Sequence, residues 1–471
     1  MSVYSSINKM PNKSKSYLFL ILLMSLMLRL IFLNQSFWLD EAAQVIESAR
    51  PLDLQFQIMS DFHPPLYHLL LHFWMYFGQS ESWIRLLSVI FAVLSIFLAY
   101  LLAKEFTDDK KALISAFLLA IAPYHIWYSQ EARPYMLFVL ISLFSSYCLL
   151  KKKWFLYTIS IILSIYSFYF SVFMIIGQLV YIIFLNKMLI KKYILSNLAA
   201  FLVFLPWLPF FINQLQNGMS GAFSGWSNVV SVSALKVIPL TLAKFVYGRG
   251  AIDNKIYYGL LILPVILIFI YSVSKIFSEK KGKSLLILFF TPLFFSFIAS
   301  FFFAISAPQR LIFLLPLFYM IISKAADYSK YYWKILLWVV MITSLAGVFD
   351  YYSNPNVQRE QWRQVVYYIN SIADPKKSIS LFVFPEPFAP IQWYKLNIPT
   401  AGIASKFNLT DQDLIRSEAL IKNKKTVYIF QYLTGLTDPL NKTQRYLTSL
   451  GYFEQRILNF PGVGFIYIFE K

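Results

Sequence analysis

Cysteine is almost missing from this sequence. A single thiol, Cys148, occurs in 471 residues and lies inside an apolar run, which excludes an intrachain disulfide and a cysteine-built metal cluster and leaves packing as its expected role. Charge is scarce as well: 14% of residues are charged against 58% hydrophobic, with a mean hydropathy of +0.58, outside the range of soluble domains. Such a chain is a polytopic membrane protein. Neither G-x-G-x-x-G nor a P-loop is present, so the glycine loops that cradle nucleotide phosphates are missing too. There is no internal repeat, low-complexity tract or heptad pattern.

The net charge of +19 does not form a basic stripe on a soluble fold, which argues against a nucleic-acid partner. Most of it follows topology. Apolar runs able to cross about 30 Å of hydrocarbon occur near 17–35, 83–104, 112–130, 193–212, 256–274, 284–306 and 333–350, with shorter candidates at 134–150 and 309–325. The run 154–186 is bounded by Lys151, Lys152 and Lys153 before it and Lys187, Lys191 and Lys192 after it. Both ends are therefore expected inside, which folds the run into a hairpin turning at SFYFS (167–171). The expected architecture is a polytopic α-helical membrane protein of about 11 transmembrane helices, N-terminus cytoplasmic and C-terminus outside, with the first span uncleaved. The inner loops carry lysine throughout. The arginines Arg50, Arg85, Arg133, Arg249 and Arg310 fall at outer span ends, where topology does not call for them. Arginine grips phosphate bidentately, whereas lysine is a point charge.

Composition changes after Asp350. Helix-like 361–373 and 411–425 alternate with strand-like 378–384, 426–433 and a closing strand pair, which predicts a small extracytoplasmic α/β domain over 351–471 beside a membrane domain over 1–350. The segment 230–248, apolar at helical spacing but broken by Pro239, reads as an interfacial helix in the outer loop 213–255.

The first outer loop, 36–82, holds Asp40, Glu41, Glu47, Asp53, Asp61 and Glu81 against Arg50 alone, together with His63, His68 and His72. Ala42, Val45, Ile46 and Ala49 recur at helical spacing, so a short amphipathic helix is expected along the bilayer surface with Asp40 at its N-cap. Capping explains Asp40 without catalysis; Glu41 would favour the positive helix end. Further along, DFHPPLYHLLLHFW (61–74) places two prolines at a helix start. His68 and His72, four apart, resemble half a zinc site, but catalytic zinc needs a third protein ligand. His63, beside the prolines, is placed to hydrogen-bond a substrate. PYHIWYSQEARPYM (123–136) brings Glu131, Arg133 and Tyr135 into a short outer turn, and APQRLIFLLP (307–316) sets Arg310 at a span start. A local ion pair and a snorkelling anchor are the plain structural accounts of these two.

Taken in order, FWLDEA (37–42), HPPLYHLLLHFW (63–74), HIWYSQEARPYM (125–136) and QRLIFLLP (309–316) resemble the GT-C class of membrane glycosyltransferases, in particular the protein-mannosyltransferase-like and aminoarabinose-transferase-like group (family 39-like). The resemblance spans about residues 17–325 and implies transfer of a hexosyl or pentosyl group from a polyprenyl-phosphate donor to an acceptor hydroxyl on lipid, polysaccharide or protein at the outer membrane face. Under it, Asp40 is the general base and Glu41 assists; His63, Arg133 and Arg310 meet the phosphate, Glu131 holds Arg133, and Tyr67 and Tyr135 line the sugar pocket. No cofactor is demanded, although Asp40, Glu41 and His63 together offer donors for a divalent metal. One departure from aminoarabinose-transferase relatives is His63, where they carry Lys beside the Pro-Pro pair. A transporter or flippase of lipid-linked sugars is the competing reading; it would place ionisable groups near the bilayer midplane and show repeated halves, whereas these charges cluster at outer span ends.

Overall fold

The computed structural model describes residues 11–55, 63–219, 232–250, 252–303, 305, 307–325, 332–405 and 408–471. Asp61 and the first two residues of the segment 230–248, singled out above, lie outside the described residues. Packing divides the chain into two compact units, one within 1–33, 61–213 and 230–357 and the other within 34–60, 214–229 and 358–471.

The first unit is helical. Among the described residues, five helices are long and apolar enough to cross a membrane: Glu81–Phe106, Lys187–Gln216, Lys255–Ile276, Lys280–Ala299 and Trp333–Ser353. A sixth arises if Asp109–Ala120 and Pro123–Ser129, bent by 59°, form one broken span. The expected count of about eleven is therefore corrected, and the reason is local. The apolar run at 309–325 divides into a 3-10 helix, Pro308–Leu314, and an α-helix, Leu315–Lys324. Tyr135–Leu150, Trp154–Ser167 and Ser171–Leu185 have 14 to 16 residues, which at 1.5 Å per residue reach about 21–24 Å, short of about 30 Å. Asn12–Leu30 is longer but carries Lys13, Lys15 and Arg29. Hydropathy counts apolar residues without asking whether one unbroken helix contains them.

The hairpin expected at SFYFS is present, with its first helix ending at Ser167 and its second starting at Ser171. The segment 230–248 contains the helix Ala234–Tyr247, with Pro239 inside it. Several lysines expected on the inner side are paired: Lys104 with Asp109 at 2.8 Å, Lys151 with Glu105 at 2.7 Å, and buried Lys324 with Glu279 at 2.5 Å.

The second unit is built on a five-stranded sheet of order β2-β1-β3-β5-β4, with β1 Ser378–Phe382, β2 Thr400–Gly402, β3 Thr426–Phe430, β4 Phe453–Phe460 and β5 Gly464–Glu470. β1 runs parallel to β2 and β3, whereas β5 is antiparallel to both β3 and β4. Side chains alternate across the strands. Phe382, Phe430, Ile466 and Ile468 enter a core with Trp362 from the helix Trp362–Ile372; Ile379, Leu381, Val427, Ile429 and Phe469 enter another with Leu414 from the helix Asp411–Ile421. Thr410 and Asp413 form a reciprocal capping box on the latter helix.

Residues 34–55 also pack with this sheet unit. The amphipathic stretch forms a helix, Leu39–Ser48, whose buried Ala42 and Val45 belong to a body packed against the helix Ala389–Tyr394. The apolar stripe expected to lie on the bilayer surface thus has a protein partner.

Candidate active site

In the second unit the helix Leu39–Ser48 begins two residues earlier than its carboxylates suggested, with Trp38 rather than Asp40 preceding it. Trp38 occupies the N-cap and makes no side-chain capping bond, so Asp40 and Glu41 both fall in the first helical turn. Asp40 is not the cap. Both carboxylates are instead favoured there by the positive end of the helix dipole. Glu41 is fully buried and Asp40 half-buried.

The capping acceptor comes from far along the chain. Glu360 Oε2 accepts from the backbone N–H of Leu39 at 3.3 Å and from Trp362 Nε1 at 2.6 Å, while Glu360 Oε1 accepts from the Tyr432 hydroxyl at 2.8 Å. The approach to the helix is tied to the same segment. Ser36 Oγ donates to the Glu360 carbonyl, Gln35 Oε1 accepts from the Arg359 N–H at 2.8 Å, and Arg363 Nη2 donates to the Asn34 carbonyl at 3.0 Å. Phe37, fully buried, donates its N–H to the Tyr394 hydroxyl at 2.8 Å and sets its ring edge-on to Trp393. At the other end, Gln55 Nε2 donates to the carbonyls of Glu47, Ser48 and Arg50 at 2.9, 3.1 and 2.7 Å. Both helix ends are held by side chains lying outside the helix.

Glu360 itself is fixed by a turn. Gly462 has φ +78°, and a Cβ there would lie 2.8 Å from Glu360 Cα, so this position needs glycine both for its left-handed backbone and for the close approach. Burial pushes the Glu360 carboxyl above the ordinary glutamate value; the hydrogen bonds from Trp362, Tyr432 and Leu39 oppose that rise, and the charge of Asp40 adds to it.

In the first unit, Arg133 Nη2 donates to His63 Nε2 at 2.8 Å. A guanidinium has only donors, so Nε2 of His63 is the acceptor and carries no proton. The His63 ring stacks on Phe168, with centroids 5.7 Å apart and planes at 15°. Phe168 meets Tyr135 edge-on at 5.8 Å and lies 5.7 Å from Phe170, over which the Arg310 guanidinium sits at 5.8 Å. The aromatic turn SFYFS therefore gathers His63, Arg133, Tyr135 and Arg310 into one cluster. Tyr67 is buried by a different contact, sharing a 2.8 Å hydrogen bond with Ser88. Glu131 is buried, and its carbonyl accepts from the Arg133 N–H at 2.8 Å.

The turn bearing Glu131 and Arg133 is anchored from below. Gln130 Nε2 donates to the carbonyls of Arg29 and Ile31 at 2.9 and 2.6 Å, and the Tyr351 hydroxyl donates to Gln130 Oε1. Arg29, fully buried, fills the break between Asp109–Ala120 and Pro123–Ser129: Nη1 donates to the Ala120 carbonyl at 3.0 Å and to Ser25 Oγ at 2.7 Å, and Nη2 donates to His125 Nδ1 at 2.8 Å. His125 then carries its proton on Nε2, which donates to Ser95 Oγ at 3.0 Å. Arg249 stacks over Trp127 at 4.7 Å. Among the described residues no group of three or more His, Cys, Asp or Glu gathers to hold a metal; His72 Nε2 instead meets the Tyr76 hydroxyl at 3.1 Å.

A family model described as dolichyl-phosphate-mannose-protein mannosyltransferase matches residues 62–210. Among solved structures, ArnT from Cupriavidus metallidurans bound to undecaprenyl phosphate aligns over 96% of this chain and 98% of its own, with a TM-score of 0.59 at 11% identity. The chain has the GT-C fold. The apo form of the same ArnT aligns over 97% of this chain and 98% of its own, with a TM-score of 0.59 at 11% identity. The oligosaccharyltransferase of Archaeoglobus fulgidus in complex with zinc and sulfate aligns over 96% of this chain and 72% of its own, with a TM-score of 0.53 at 14% identity. No curated protein matches by sequence. Within this GT-C chain, the family-model match includes His63, Tyr67, Glu131, Arg133 and Tyr135 and leaves out Asp40, Glu41 and Arg310.

Sequence reasoning passed over Glu360, Arg29 and Gln130, and it read Phe168 and Phe170 as a turn without a further role. Glu360 carried no signal, because its partner Leu39 is 321 residues away. Arg29 did carry one: an arginine inside an apolar span asks for an explanation.

Proposed function

We propose that this protein is a membrane glycosyltransferase that moves a hexosyl or pentosyl group from a polyprenyl-phosphate donor to an acceptor hydroxyl at the outer face of the membrane. The observation that carries this reading is Asp40 beside Glu41 in the first turn of a helix secured at both ends, in a chain of GT-C fold. ArnT, whose structure holds undecaprenyl phosphate, supports the class of donor. So does the family model described by a dolichyl-phosphate mannose donor.

In the proposed reaction Asp40 takes the proton of the acceptor hydroxyl as its oxygen bonds to the anomeric carbon, with inversion there. The bond from that carbon to the phosphate oxygen breaks, and its electron pair leaves on the lipid phosphate. Glu41 orients the acceptor. Arg133, His63 and Arg310 are assigned to the departing phosphate, whose charge preplaced donors stabilise, Glu131 to holding Arg133, and Tyr67 and Tyr135 to the sugar. The proposed catalytic domain is 1–350, with the first outer loop contributing the carboxylates and 351–471 forming the extracytoplasmic domain. The lysine distribution supports a cytoplasmic N-terminus. The archaeal oligosaccharyltransferase structure contains zinc; the scheme here is written without a metal step. The acceptor is a lipid, a polysaccharide or a protein.

Purified protein incubated with a panel of polyprenyl-phosphate sugars, followed by mass analysis, tests the reading. One donor is expected to lose its sugar to an added acceptor and leave free polyprenyl phosphate. Intact donors throughout, with lipid-linked sugar crossing the bilayer of reconstituted vesicles, would establish a transporter instead.

A further inference from the structure

We propose that Glu360 is a positioning residue for Asp40: its carboxylate, delivered from the segment following the last span, caps the helix Leu39–Ser48 from outside and fixes where the first turn presents its acids. The inference rests on the glycosyltransferase reading for the role of Asp40, and on this chain's own contacts for everything else.

Trp38 stands at the N-cap without a capping side chain, and the acceptor that meets the Leu39 N–H is Glu360 Oε2. Trp362 Nε1 binds the same oxygen and the Tyr432 hydroxyl binds the other. A carboxylate accepting three hydrogen bonds is held in one rotamer, and the Gly462 turn packed on Glu360 Cα holds its backbone. Ser36 Oγ on the Glu360 carbonyl and Gln35 on the Arg359 N–H keep the approach to the helix in register with the cap. A shift of this carboxylate would release the first turn, where Asp40 resides.

The arrangement separates reach from charge. Glutamine has the length of glutamate, and its amide oxygen can accept from Leu39 and Trp362 while its NH2 donates to the Tyr432 hydroxyl. Aspartate keeps the charge but is one methylene short of Leu39. Glu360→Gln is therefore expected to retain transfer. Glu360→Asp is expected to lower kcat by about tenfold or more through misplacement of the base, with donor KM unchanged. Wild-type kcat in Glu360→Asp, or equal loss in Glu360→Gln and Glu360→Asp, would overturn the proposal.

Hydrogen exchange of the full-length protein, read by mass spectrometry on peptides covering 37–48, supplies a measurement independent of turnover. Exchange there should accelerate in Glu360→Asp and stay at the wild-type level in Glu360→Gln. Identical exchange in all three proteins would also overturn the proposal. Asp40→Asn assayed in parallel keeps the two ideas apart. Undiminished transfer in Asp40→Asn refutes the base assignment, whereas a dead Asp40→Asn beside a fully active Glu360→Asp refutes only the positioning role.

Discussion

Arg133 and His63, seventy residues apart, are joined by a 2.8 Å hydrogen bond from the guanidinium to the imidazole. The bond orients the fork of Arg133 through a ring that is itself stacked on Phe168. Replacing Arg133 with lysine keeps the charge and loses the fork. Donor KM in Arg133→Lys should rise about tenfold, equivalent to about 1.4 kcal/mol, with a smaller change in kcat. Titration with a polyprenyl-phosphate sugar checks this, and unchanged donor affinity would remove Arg133 from the phosphate role.

Asp40→Asn keeps the volume of the side chain and removes its ability to take a proton. General-base catalysis is worth about 10²- to 10⁴-fold, so turnover should fall on that scale while the unfolding temperature in detergent stays close to wild type. Transfer at the wild-type rate by the purified variant would remove Asp40 as the base.

Arg29→Leu should destabilise the helical unit. The substitution strips donors from the Ala120 carbonyl, Ser25 Oγ and His125 Nδ1, and a buried polar group left unpaired costs about 1–3 kcal/mol. Thermal unfolding in detergent reads the loss. Ser95→Ala, which removes one partner of His125 at the far end of the same chain of bonds, should cost less, and an equal or larger loss in Ser95→Ala would contradict the central role of Arg29.

Stability of the protein should depend on pH through Glu360. Its carboxyl binds a proton more tightly in the folded state, chiefly because burial disfavours the charge, with Asp40 adding to the effect and Trp362, Tyr432 and Leu39 opposing it. Between the ordinary glutamate value, about 4.3, and the raised folded value, the native state holds more protons than the unfolded state. This contribution is therefore fully present below the ordinary value and is lost as pH rises through the folded one. Glu360→Gln should flatten the decline over that interval in a series of unfolding measurements. Parallel curves for the two proteins would show that Glu360 is not its source.

Local signals carried much of this molecule into view. The SFYFS turn was readable from lysines placed on both sides of an apolar run too long for one helix. The strands of the α/β unit were readable from runs such as TVYIF, although β2, three residues long, was too short to register. Asp40 and Glu41 were legible as a helix start, but the cap was assigned to the wrong residue. A local pattern favours the nearest polar side chain, whereas here the acceptor arrives from Glu360. The span count failed for a related reason. The bend before Pro123 and the change from 3-10 to α-helix between Leu314 and Leu315 interrupt helices that hydropathy alone treats as continuous, and the Arg29 contacts that make the Ala120 break tolerable join residues 91 and 96 positions apart.

The cap that joins Leu39 to Glu360 imposes an order in time. A ribosome makes the helix Leu39–Ser48 some 320 residues before it makes the glutamate that completes it. At about 5–20 residues per second, the segment waits on the order of tens of seconds without the acceptor that Glu360 supplies. A chain released before residue 360 would carry both candidate acids and lack the side chain that aims them, so the assembly of this region is timed by the end of synthesis rather than by its beginning.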